Sequence, residues 1–397
     1  MVAPVPVRLF LPLLAVLLLF VTPARAQEHD GLDGVAMPAL REALRADADL
    51  ARAWFRLKAG DSEGARRDVV SLVKTRPRDP NAQHLLGIAA AAAGKRVQAE
   101  AALRKSLRLR PDGWVTVHLV DALLDRGRLS AADAVLRRTE PKLPGDPQHA
   151  RAKAFVLVAR GDLVGARALM EDLEARQATA PLAWQLSVLL AELGDAPAAL
   201  AAIRRAVDRD PEQSLYRRQL FERLEAAADW NGLVTATEEA GAGAVSGGLT
   251  PYYKGLALLR LGRADDAARA FKDVVAHGQP DPAAAAASAG HLLQLGRYED
   301  AEKAARVALA ARKDDAALHH LLAMVLSRLG REAEGLAYYR RAAELVPDDS
   351  TWRFDLVVSL CALGLAEERE DALARARRDF PEDERFVKLA EGCAPGT

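Results

Sequence analysis

Residues 80–113 read PNAQHLLGIAAAAAGKRVQAEAALRKSLRLRPDG. From Ala82 to Ala93 the run is helix-forming, and Gly94 stops it, because glycine takes the left-handed conformation that closes a helix C-terminus. From Val97 to Leu109 a second helix follows, with apolar residues at Val97, Ala101, Leu103, Leu107 and Leu109, broadly the helical spacing. Pro111 cannot continue it. Two antiparallel helices joined by a tight turn make one unit, and neither can bury its apolar face alone. A unit of this kind requires neighbours of the same kind stacked against it.

The neighbours are present. The turn glycine recurs as Gly60, Gly94, Gly127, Gly161 and Gly194, then Gly262, Gly296, Gly330 and Gly364. The steps are 34, 33, 34 and 33, a double step of 68, then 34, 34 and 34. Midway through the double step stands Ala228, followed by Asp229-Trp230-Asn231-Gly232. The proline expected near residue 245 is absent there, and residues 241–248 are rich in glycine. The expectation is a degenerate sixth unit followed by a loose joint, the alternative being an ordinary long turn.

The pattern inside the units resembles the tetratricopeptide repeat: Leu-Gly in the first helix, Ala-x3-Phe in the second, and a closing proline. Residues 80–113 supply Leu86-Gly87, Ala99 with Leu103, and Pro111. From Gly248 onward Gly255, Ala267 and Phe271 match more closely. Other units supply Ala53, Gly60, Ala65 and Pro77; Ala199, Ile203 and Pro211; Leu322, Ala323, Tyr339 and Pro347; and Leu356, Gly364 and Pro381. The small residues let the two helices cross closely, and the bulky residue four positions on fills the space between them.

The resemblance implies an all-α fold, a right-handed α-solenoid of about ten helix-turn-helix repeats with a C-terminal capping helix. The expected organisation is a half repeat over 27–45, repeats 1–6 over 46–247, repeats 7–10 over 248–383 and a cap over 384–397. It further implies a concave groove lined by the first helix of each unit. Carried onto this chain, the groove positions include Trp54, Lys58, His84, Trp114, Asp121, Arg151, Phe155 and Trp184, then Arg218, Glu222, Tyr252, Arg260 and His320. Aromatic residues and arginines are the types that anchor recognition surfaces. The competing account, strongest for Trp54, Phe155 and Trp184, is packing between neighbouring units. The lysine and asparagine pattern that clamps a peptide carboxylate in some family members is not reproduced; Asn81 is the only asparagine at such a site.

The ends of the chain carry separate signals. Arg8, the apolar run Leu9 to Val21 and the small-residue site around Pro23-Ala24-Arg25-Ala26 read as a secretory signal peptide over 1–26, with cleavage before Gln27. The alternative is an uncleaved anchor. Export places the protein in the periplasm or outside the cell, with no transmembrane segment after cleavage. In an oxidising compartment Cys361 and Cys393 form a disulfide candidate. They lie almost one repeat apart, so a bridge would staple the cap to the last repeat, with about 3–4 kcal/mol from chain entropy. Two buried apolar thiols are the alternative.

Composition narrows the function. Lys and Arg number 55 and Asp and Glu 55, so there is no basic surplus for nucleic acid or for anionic membrane. Ser71-Leu-Val-Lys74 matches one signature of penicillin-binding enzymes, but its companion motifs are missing. The glycines from Gly241 lack the strand a dinucleotide site needs, and the eight histidines show no metal-ligand spacing. The expectation is a non-catalytic scaffold in the cell envelope, without cofactor or metal, binding a protein or an extended peptide. An accessory of polysaccharide export that contacts glycan through groove Trp and Tyr is the alternative, and an enzyme the remote one.

Overall fold

The computed structural model describes residues 37–241, 244–276 and 279–392. The expected signal segment and Cys393 therefore lie outside the described residues. Among those residues the structure is helical throughout, with 22 α-helices and one short 3-10 turn. They fall into two compact units parted between Arg209 and Asp210.

The first unit opens with a lone helix α1 (Pro38–Ala46) and continues as five helix pairs. These are α2 (Ala48–Lys58) with α3 (Ser62–Thr75), α4 (Pro80–Ala92) with α5 (Arg96–Leu109), α6 (Gly113–Leu124) with α7 (Leu129–Thr139), α8 (Pro147–Arg160) with α9 (Leu163–Arg176), and α10 (Ala180–Glu192) with α11 (Ala196–Arg209). The second unit holds five more: α12 (Ser214–Ala226) with α13 (Trp230–Ala240), α14 (Leu249–Arg260) with α15 (Ala264–Asp273), α16 (Pro282–Gln294) with α17 (Tyr298–Ala311), α18 (Ala316–Arg328) with α19 (Glu332–Leu345), and α20 (Ser350–Ala362) with α21 (Ala366–Asp379). A final helix α22 (Arg385–Gly392) covers the end. Each unit is thus an α-solenoid of helix pairs. The sequence placed a division after the sixth pair; the compact units part after the fifth.

Local chemistry explains where the helices begin and end. Asp47, Asp79, Asp112, Asp146, Asp281, Asp315 and Asp349 each cap a first helix by accepting backbone N–H bonds from its opening turn. Such a cap contributes about 1 kcal/mol. All nine marker glycines have positive φ, between +66° and +90°. Ala228 copies them: its φ is 53°, and it is the one described non-glycine residue in that region. Its N–H donates to the Glu225 carbonyl at 2.9 Å and that of Asp229 to the Leu224 carbonyl at 2.9 Å, the bonds of a glycine-closed helix end. The sixth turn therefore keeps its geometry at the expense of steric strain, about 1–2 kcal/mol for a side chain in this conformation. Ala228→Gly is expected to stabilise the second unit by about 1 kcal/mol, raising its melting temperature by about 2–4 °C; an unchanged or lower temperature in calorimetry would contradict this.

The core is built at the helix crossings. A Cβ on Gly87 would lie 2.5 Å from the Leu103 side chain, and one on Gly255 would lie 2.8 Å from the Phe271 ring. Only glycine lets these helices approach so closely. Phe271 is fully buried, with the His291 ring stacked at 4.8 Å. At the C-terminal end Phe386 of α22 is fully buried against Phe354 and Phe380, with centroids at 6.0 and 6.1 Å. Cys361 is disulfide-bonded, while the partner expected for it, Cys393, lies outside the described residues.

Salt bridges about one period apart tie neighbouring pairs together. Glu174 on α9 receives Arg205 and Arg209 of α11 at 2.7 Å each. Glu100 on α5 receives Arg128 at 2.8 Å and also Arg126. The Arg205 hydrogen bond, the largest effect, outweighs burial and holds the Glu174 carboxyl below its usual range. Its contribution is therefore present above the unfolded value and is lost as pH falls through the folded one.

The expected loose joint is corrected where it is described. Helix α13 stops at Ala240 because Gly241, at φ 77°, leaves the helix. Past it, Val245 is buried, and its N–H donates to Thr250 Oγ1 at 3.2 Å. The Asp281 N–H donates to the Gly247 carbonyl at 2.8 Å. A Cβ on Gly248 would come within 2.4 Å of the Val274 carbonyl oxygen. Residues 244–248 are thus pinned to the segment between α15 and α16, because glycines without side chains allow backbone to lie on backbone.

Candidate partner-binding face

The first helices of successive pairs lie side by side, so residues one period apart meet. In the first unit His84 of α4 and His118 of α6 are hydrogen-bonded through Nε2 and Nδ1 at 2.8 Å, one ring donating and the other accepting. Both are buried. Burial, the first cause in each case, pushes His84 down to about 3 and His118 well below its usual value, so the pair is neutral. One turn before His118, Trp114 lies with its ring 6.3 Å from the imidazole. The Arg151 guanidinium of α8 sits over the Trp114 ring at 5.8 Å and over Phe155 at 5.5 Å, each an attraction of about 0.5–2 kcal/mol. One turn after His118, burial and then the charge of Asp125 push the Asp121 carboxyl up to about 7, against the opposing pull of Arg151. Five of the expected residues, His84, Trp114, Asp121, Arg151 and Phe155, are therefore one assembly spread over α4, α6 and α8.

The remaining candidates stand elsewhere. On α2, Lys58 lies over Trp54 at 5.8 Å, and burial pushes its amine down. In the second unit Arg218 and Glu222 of α12 are exposed and paired at 3.6 Å. Tyr252 of α14 is half-buried, its ring at 5.5 Å from Tyr253 and 6.2 Å from Phe271. Arg260 is exposed and lies over Trp230 at 5.7 Å. On α18, His320 is bonded to Asp355 at 2.6 Å and stacked on Trp352 at 5.6 Å.

Burial sorts the candidates. Trp184 has no accessible surface, Phe155 has 2 % and Trp54 has 8 %. Placing them in a groove is corrected: these rings fill the space between neighbouring helices, which offers the core a large apolar area. Trp114, Asp121, Arg218, Glu222, Tyr252 and Arg260 keep accessible surface. Sequence reasoning missed His118, Trp352 and Asp355. Their signal was present in the spacing: His118 stands 34 residues after His84, and Asp355 stands 35 after His320.

No cluster of three or more His, Cys, Asp or Glu among the described residues is arranged to hold a metal ion. None of the described helices is long and apolar enough to cross a membrane.

Comparison with known proteins gives three sequence matches, over residues 50–113, 258–325 and 316–349, all to profiles described as Tetratricopeptide repeat. No curated protein matches the chain. Among solved structures it is similar to a human IFIT1 dimer with m7Gppp-AAAA, at 16 % identity over 75 % of this chain and 71 % of that one, with a TM-score of 0.46. It is also similar to TTC0263, a thermophilic TPR protein in Thermus thermophilus, at 20 % identity over 45 % of this chain and 97 % of that one, TM-score 0.41. A third is YrrB, a TPR protein with an unusual peptide-binding site, at 13 % identity over 56 % of this chain and 97 % of that one, TM-score 0.37.

Proposed function

Because this chain is a tetratricopeptide-repeat protein, we propose that it is a non-catalytic scaffold whose first helices bind an extended polypeptide, and that it works in the cell envelope or periplasm. The observation that carries this is the assembly across α4, α6 and α8. It puts the partly accessible Trp114 ring and Asp121 carboxyl on one helix, α6, with the buried Arg151 guanidinium of the next repeat lying over the ring. Regular spacing along a face suits an extended chain, and binding through many modest contacts with a few aromatic and arginine anchors suits this inventory. The apolar segment before Gln27 supports export. A glycan-contacting role draws less support, since Trp184 presents no ring face to a sugar.

A photo-crosslinking amino acid tests the face. Introduced at Trp114 or Arg218 on first helices, it is expected to capture polypeptide in native envelope extracts. Introduced at Val97 or Val164, which are 70 % and 73 % exposed on second helices, it is expected to capture far less. Equal capture from both sets, or capture of glycan in place of protein, would remove the proposal. N-terminal sequencing of the envelope-fraction protein should begin at Gln27.

A further inference from the structure

A basic cleft lies between the second helices α5 and α7. Leu107 and Pro111 on the α5 side, Leu119 of α6 and Val135 of α7 give it an apolar floor. Its rim is cationic. Arg104 and Arg108 stand one helical turn apart on α5, and Arg138 and Lys142 line the α7 side. None of the residues lining it is acidic. Arg108, Arg138 and Lys142 are exposed, and their side chains make no ion pair or hydrogen bond with a described residue. The carboxylates nearby in sequence are engaged elsewhere. Glu100 holds Arg104 at 2.9 Å together with Arg126 and Arg128, Asp133 holds Arg160, and Glu140 lies 3.9 Å from Lys153.

Two repeats further on, the same cleft recurs between α9 and α11 with its charges balanced. Gly161 follows Gly94 by 67 residues, and Gly194 follows Gly127 by 67. Arg138 and Lys142 therefore correspond to Arg205 and Arg209, and Leu119 to Leu186, all of which line the later cleft. There Glu174, at the register position of Leu107, receives both guanidinium groups at 2.7 Å. Glu171 stands where Arg104 does, and Ala175 where Arg108 does. The later cleft thus neutralises its cations from within. The earlier one keeps the cations, puts leucine in place of the central acid and adds two arginines. The helix dipole accounts for Arg108 and Arg138 in the last turns of α5 and α7. It does not account for the loss of the carboxylate that balances such cations two repeats on.

We propose that this cleft docks an acidic segment of a partner polypeptide. Its carboxylates take the place that Glu174 fills in the later cleft, and an aliphatic side chain rests on the floor. Charge complementarity of this kind selects the partner and speeds its encounter. A compact phosphate fits less well. Helices α5 and α7 end here, and their carbonyl ends carry partial negative charge, whereas long Arg and Lys side chains meet carboxylates held away from the backbone. An inorganic anion would also leave the apolar floor uncovered. The cleft holds about 60 Å³, against about 30 Å³ for a water molecule in the liquid. That suits the end of a leucine or valine and no aromatic ring. The site stands on second helices and goes beyond the first-helix face proposed above. Val97 is in the first turn of α5 and the cleft is at its last, so the crosslinking comparison at Val97 samples another place.

The test titrates short peptides calorimetrically into the whole protein. A central leucine is flanked by glutamates, glutamines or lysines, and a further glutamate set carries glycine at the centre. At low salt the glutamate-leucine set is expected to bind about tenfold or more tightly than the glutamine set. The lysine set should not bind, and central glycine should weaken binding several-fold. The preference should shrink at high salt, because exposed charges are screened. Leu107→Glu installs the internal carboxylate of the later cleft, so it should abolish the preference while leaving the melting temperature equal or higher. Arg138→Gln, at an exposed position, should weaken glutamate binding several-fold with no change in melting; it decides the matter if Leu107→Glu does not fold. Equal binding of glutamate and glutamine sets, no binding by any set, or a preference kept in folded Leu107→Glu would overturn the proposal. Tighter binding of inorganic phosphate, phosphatidylglycerol vesicles or a single-stranded oligonucleotide than of the glutamate set, lost in Arg138→Gln, would reassign the cleft and reject it. Each of these failures leaves the first-helix face standing, since that face is read by capture at Trp114 and Arg218.

Discussion

Phe271→Ala is expected to destabilise the second unit by about 3–5 kcal/mol, the range for deleting a fully buried aromatic side chain. The effect should be read by denaturant unfolding together with hydrogen exchange of α14 and α15, because a stack of repeats opens locally as well as globally. A companion variant makes the prediction sharper. Gly255→Ala alone should destabilise, since its Cβ would stand 2.8 Å from the Phe271 ring. Overpacking of about 1–3 kcal/mol outweighs the gain of about 1 kcal/mol from replacing glycine within a helix. In the Phe271→Ala background the obstruction is gone, and the same substitution should stabilise by about 1 kcal/mol. A change of sign across the double-mutant cycle is the signature of direct packing between the two positions. Additive effects would mean that the close helix crossing does not exist in solution.

The second large effect lies at the corner after α13. Gly248→Ala is expected to cost about 3 kcal/mol or more. The residue has φ +71°, which an alanine tolerates at about 1–2 kcal/mol. Its Cβ would also meet the Val274 carbonyl oxygen at 2.4 Å, and backbone cannot swing aside as a side chain does. Moving it endangers the bond from the Asp281 N–H to the Gly247 carbonyl. Gly262→Ala is the control. Its φ is +75°, but nothing lies within 4 Å of the added Cβ, so only the conformational strain of about 1–2 kcal/mol remains. Thermal unfolding of the two variants side by side should show Gly248→Ala losing clearly more. Equal losses would mean that residues 244–248 do not rest on the next repeat, as a loose joint would have it.

Much of the fold was legible because it is written in local terms. Gly94 and its equivalents close helices through a backbone conformation that needs no knowledge of the rest of the chain. Asp79, Asp112 and Asp281 open helices by accepting N–H bonds from residues two or three positions on. The boundaries of α4 and α5 accordingly fall within two residues of those expected from sequence. The candidate site was legible only in part. Repeat register picked out His84, Trp114, Asp121 and Arg151, but did not distinguish Trp114, which keeps accessible surface, from Trp184, which has none.

By itself the sequence determined the repeat unit, the order and number of its helices and the place where the turn loses its glycine. These follow from a period, from glycine and proline backbone limits and from caps that act within a few residues. The tertiary structure alone decided which side chains are spent on packing, that His84 and His118 form a neutral pair, and that Asp121 lines a small cavity beside His118. It also decided that residues 244–248 are held by Val274 and Asp281. The physical reason is that burial and charge depend on residues about thirty positions away. Their approach is set by the close crossings at Gly87 and Gly255 and by the stacking of one helix pair on the next.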